Sequence, residues 1–68
     1  MGARLWFIGN ENNKPLKVFP SRRSAEFELE AMIREDERAE EYTLYSRNLD
    51  ELEEFPVEFS LAEEEGII

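Results

Sequence analysis

The sequence predicts a single small α+β domain: a three-stranded sheet of ββαβ connectivity and order 2-1-3, one helix on one face, and a C-terminal segment that forms a short helix. Three observations carry this. Two short runs of β-forming residues flank a stretch dense in turn formers, an amphipathic helical pattern follows, and a third β-forming run comes after it. Sixty-eight residues make one core, and a core of that size is marginal with no cysteine to staple it. Hydrophobic residues at 41% and aromatics at 12% are nevertheless too many for a disordered acidic tail.

Each element has a local reason. Arg4-Leu5-Trp6-Phe7-Ile8 is an apolar run stopped by Gly9, and it reads as a strand buried on both faces, with Leu5 and Phe7 on one side and Trp6 and Ile8 on the other. Residues 9–15 are turn formers, so Leu16-Lys17-Val18-Phe19 returns as the second arm of a hairpin and Pro20 ends it. Ser21 is a natural N-cap. Ala25, Leu29, Met32 and Ile33 recur at helical spacing, which predicts a helix from about Arg22 to Glu35, with the polar stretch through Glu41 as its fraying end or a loop. Tyr42 to Ser46 is β-branched and aromatic and predicts the third strand. A right-handed helical crossover makes strands two and three parallel and leaves strand one between them. In the last stretch, Pro56 suits the first turn of a helix and Gly66 suits its end, which predicts a helix from about Pro56 to Glu65, although Val57, Phe59 and Leu61 alternate as in a strand.

One helix covers one side of such a sheet. The expectation is that it covers Leu5 and Phe7, and that the C-terminal segment, or failing that another molecule, covers Trp6 and Ile8. Phe27 sits about 160 degrees from the helix's apolar stripe, ringed by charge, which is the composition of an interface centre.

Charge narrows the function. Seventeen acids oppose eight bases for a net charge of −9, and histidine is absent as well as cysteine. The usual general base, thiol nucleophile and soft-metal ligands are therefore missing, and the charge opposes direct nucleic-acid binding. Asp36-Glu37 and Asp50-Glu51 lack the ligand pattern of a calcium loop, and the three glycines form no phosphate-binding loop. No apolar run approaches a membrane span or a signal peptide, and with zero cysteines the setting expected is cytoplasmic. The charge is also uneven: residues 1–23 hold five bases against one acid, and residues 24–68 three against sixteen. Such a dipole fits a basic partner surface, pairing within the fold, or plain solubility.

The ββαβ order, the size, the acidity and the tail from Leu44 through Asn48-Leu49-Asp50-Glu51-Leu52-Glu53-Glu54-Phe55-Pro56 resemble the small orphan proteins of bacteriophages, some of which are host-takeover inhibitors of RNA polymerase, nucleases or defence complexes. The resemblance lies in these general features over most of the chain and assigns no residue a role. It implies an inhibitor or adaptor of a host protein.

The functional expectation is thus an acidic protein-binding module, not an enzyme, without cofactor or metal, that docks on a basic protein surface of the kind that holds nucleic acid. In its strongest form it mimics DNA. Glu30, Glu35, Asp36, Glu37, Glu40 and Glu41 are the candidate charges, with Phe27 and Arg34 as candidate specificity contacts. The alternative is an assembly protein that homodimerises through the Trp6 and Ile8 face.

Overall fold

The computed structural model describes residues 3–35 and 41–68. Along the chain run strand β1 (Arg4–Gly9), strand β2 (Pro15–Phe19), helix α1 (Arg22–Glu35), strand β3 (Thr43–Asn48), a 3₁₀ helix (Leu49–Glu54) and helix α2 (Pro56–Glu64). The sheet has the order β2-β1-β3, with β1 antiparallel to both neighbours, so that β2 and β3 run parallel to each other. This is the α+β domain that the sequence predicts.

Side-chain chemistry sets the local geometry. Asn10 holds the hairpin turn, its Oδ1 accepting from the amides of Asn12 and Lys14 at 2.9 Å each, while Asn13 takes a positive φ of 60° that Asn tolerates better than most residues. Ser21 caps α1, its Oγ accepting from the Ser24 amide at 3.2 Å. Pro56 occupies the first turn of α2, where no amide is needed. That helix ends one residue earlier than expected, in a Schellman motif: Gly66 at φ 74° donates to the Glu63 carbonyl at 3.1 Å, and Ile67 donates to the Ala62 carbonyl at 3.0 Å.

The two faces of the sheet are exchanged relative to expectation. Helix α1 lies on the Trp6 and Ile8 side: Arg22 stacks over the Trp6 ring at 5.6 Å, and Lys17, the cross-strand partner of Ile8, binds Glu28 at 2.6 Å. The C-terminal helices lie on the Leu5 and Phe7 side, where Leu5, Phe7, Val18, Leu52 and Ala62 form the buried cluster and Tyr45, Leu49, Phe59, Leu61 and Ile67 pack against it. Size decides the matter. The stripe of α1 is centred on Ala25 and suits the side where Ile8 is fully buried but Trp6 and Phe19 are only half-buried, whereas Phe7 stacked on Tyr45 needs the larger cover of two helices. The sheet face expected to serve a homodimer is therefore occupied by α1. A second correction concerns β3, which starts at Thr43 rather than Tyr42 and runs on to Asn48, since Arg47 and Asn48 pair with Leu5 and Arg4. The 3₁₀ helix after it, capped by Asn48 Oδ1 accepting from the Asp50 amide at 3.0 Å, has no counterpart in the sequence reading.

Candidate functional site

The residues expected to bind a partner fall in different places. Phe27 projects from α1 and is 75% exposed, bordering a hollow it shares with Phe19, with Glu30 and Arg34 following at three and seven residues on the same helical stripe. Glu35 is exposed at the end of α1, and Glu41 is partly buried before β3. Asp36, Glu37 and Glu40 lie outside the described residues. The structure thus brings together Phe27, Glu30 and Arg34, with Glu35 nearby on the same helix.

A larger acidic surface lies on the other layer. From Leu49 to Ile68 the chain has no lysine or arginine, and Asp50, Glu51, Glu53, Glu54, Glu63, Glu64 and Glu65 are all exposed on the 3₁₀ helix and the end of α2. Among the described residues, the two ion pairs, Lys17–Glu28 and Arg22–Glu26, both involve α1, and no cation pairs with the acids of the C-terminal layer. None of these seven acids is among the candidate charges that the sequence suggests. The signal that finds them is the complete absence of basic residues after Arg47.

Beneath this layer sits its anchor. The Arg47 guanidinium lies against two rings, 4.9 Å from that of Tyr45 and 4.3 Å from that of Phe55, with its Nε buried and, among the described residues, without a hydrogen-bond partner. The Tyr45 hydroxyl donates to the buried Glu58 carboxylate at 3.2 Å. Burial, the Glu58 charge and that hydrogen bond push the Tyr45 pKa up to about 12, against a smaller opposing pull from Arg47. These four side chains tie β3 to the start and first turn of α2 and hold the exposed carboxylates on a fixed frame. Among the described residues no three His, Cys, Asp or Glu side chains are placed to hold a metal ion, and no helix is long and apolar enough to cross a membrane.

The fold and surface define a class, a small three-layer α+β domain with one single-sign outer layer. Compared with protein-family models, with curated proteins and with solved structures, the chain matches none.

Proposed function

We propose that this protein is an acidic binding module that docks on the basic surface of a nucleic-acid-associated protein, as an inhibitor or adaptor of a host factor, with carboxylates standing where phosphates would. The reading rests on the C-terminal layer: seven exposed carboxylates and no cation, on helices fixed to the sheet through Leu52, Ala62 and the Arg47 ring contacts. Carboxylates on fixed elements lose little freedom on binding, and a single-sign surface speeds encounter with an oppositely charged one. Val57, 54% exposed beside Pro56, supplies apolar contact within that surface. The stripe of Phe27, Glu30 and Arg34, with Glu35 and the acids up to Glu41, is the secondary contact in this reading.

The test starts from a partner captured out of host lysate and measures its association rate against ionic strength. Two neutralised variants are compared with wild type: one with Asp50→Asn and Glu51, Glu53, Glu54, Glu63, Glu64 and Glu65 changed to Gln, the other with Glu30, Glu35, Asp36, Glu37, Glu40 and Glu41 changed to Gln or Asn. The first is expected to slow association at least tenfold at low salt and to flatten the salt slope, the second less so. Duplex DNA should compete with the wild-type protein for the same partner. Equal rates and slopes for all three proteins would rule out an acidic docking surface.

A further inference from the structure

Among the described residues strand β2 has a neighbouring strand on one side only, and its other side is a trench. Successive residues of a strand turn their side chains to opposite faces of the sheet. Yet Leu16, Lys17, Val18 and Phe19 all border one hollow of about 320 Å³, which places that hollow along the free edge of the strand. Its walls come from both outer layers, Glu28 of α1 on one side and Glu65 beyond α2 on the other. A second hollow of about 500 Å³ continues it past Phe19 and Glu28 to Phe27. Two of the exposed large apolar side chains, Leu16 at 40% and Phe27 at 75%, stand at this edge.

We infer that this trench takes one extended segment of the basic protein partner, added to the sheet as a fourth strand beside β2. The N–H and C=O groups along an edge strand offer half a ladder to whatever lies beside it. A trench admits a single thin strand, whereas the same edge of a second copy, itself recessed between two layers, cannot reach the floor. The lining fixes the side-chain pattern of the occupant. Toward α1 lie Phe19 and Phe27, with Glu28 already held by Lys17, so that side accepts an apolar residue. Toward α2 lie Val18 and the exposed Glu65, next to Glu64 and Glu63, and among the described residues no cation pairs with these acids, so that side accepts Lys or Arg. Arg23, at the Phe27 end, turns a cation away from the first side and reinforces the alternation. The occupant therefore alternates apolar and basic residues. This inference rests on the docking reading above for the sign of the partner's charge, but strand addition is a separate contact from the C-terminal layer.

The experiment uses the full chain and a capped six-residue peptide of alternating Lys and Val, followed by amide resonances and by fluorescence anisotropy. Shifts are expected at Leu16 to Phe19 and around Phe27 and Glu65. Methylating the peptide's backbone nitrogens on one edge should weaken binding more than tenfold, and methylating the other edge should change it little, because only one edge faces β2. Phe27→Ala and Glu65→Lys, both at exposed positions, should each weaken binding several-fold, and a Glu-Val peptide should not bind. Equal binding of both methylated peptides, shifts confined to Asp50–Glu54 and Glu63–Glu65, or comparable binding of the Glu-Val peptide would each overturn strand addition. Concentration-dependent shifts at β2 in the free protein would overturn it too, in favour of a second copy. If neutralising the C-terminal layer leaves partner association unchanged while the Lys-Val peptide still adds at β2, the docking reading fails and the trench stands; the opposite pair of results separates them the other way.

Discussion

Tyr45 joins three parts of the core through one side chain. Its ring stacks on Phe7 with centroids 5.4 Å apart, carries the Arg47 guanidinium on its other contacts, and reaches Glu58 with its hydroxyl. The space for it is made by Gly9, where a Cβ would stand 3.1 Å from the Tyr45 ring and 3.3 Å from Thr43 Oγ1. Because burial first, and then Glu58, raise its pKa from 10.0 to about 12, the folded protein keeps a proton that the unfolded chain releases. The stabilisation is fully present below about pH 10 and is lost as pH rises through about 12. Urea midpoints followed over that interval should fall for wild type, and the fall should be shallower in Tyr45→Phe, which has no proton to lose there. A parallel fall in both proteins would show that Tyr45 does not couple to folding.

At the scale of elements, α2 is stopped by backbone conformation rather than by packing. Gly66 sits at φ 74° with open space around the position of a Cβ, so Gly66→Ala meets no clash and costs only the left-handed strain, about 1 kcal/mol. A urea denaturation series should show that loss for Ala and a smaller one for Asn; a loss much above it would mean that the cap also orders the Ile67 contact. This stop was readable in the sequence, as were Ser21, Pro56 and the hairpin turn, because each depends on one residue's own conformational preference. The face covered by α1 was not readable. A strand apolar on both sides, Leu5 to Ile8, states that two covers are needed and does not say which element supplies which. The extent of β3 escaped for another reason: Arg47 and Asn48 look like loop residues until Tyr45 and Phe55 are brought against the guanidinium. The candidate site was legible to the same degree. Phe27 stood out by its place on the helix, but the acids after Asn48 became a surface only when the chain folded them onto one layer.

For the whole molecule the net charge of −9 works against the compact state and, in the proposed docking reading, for the encounter with a basic partner. Both effects are screened by salt, with opposite consequences. Raising sodium chloride to roughly 0.5 M, where the Debye length is only a few ångströms, should raise the urea midpoint of the free protein and slow its association with the partner. A midpoint indifferent to salt would mean that the carboxylates are too far apart to repel one another. The layers also differ in how charge is balanced: α1 pairs Glu28 with Lys17 and Glu26 with Arg22, whereas among the described residues no cation pairs with the acids of the C-terminal layer.

The exchange of covers has a kinetic consequence. Leu5 and Phe7, near one end of the described chain, are closed over by Leu52, Ala62 and Ile67, near the other. Native contacts that span most of the sequence must wait for the loop between them to close, and such topologies fold slowly for their length. Until that closure the hairpin and α1 can assemble around Ile8 and Ala25 with the Phe7 side still open to water. A half-covered sheet of that kind would offer its open side to strand-to-strand association, and the acids of the segment still to dock would repel other copies.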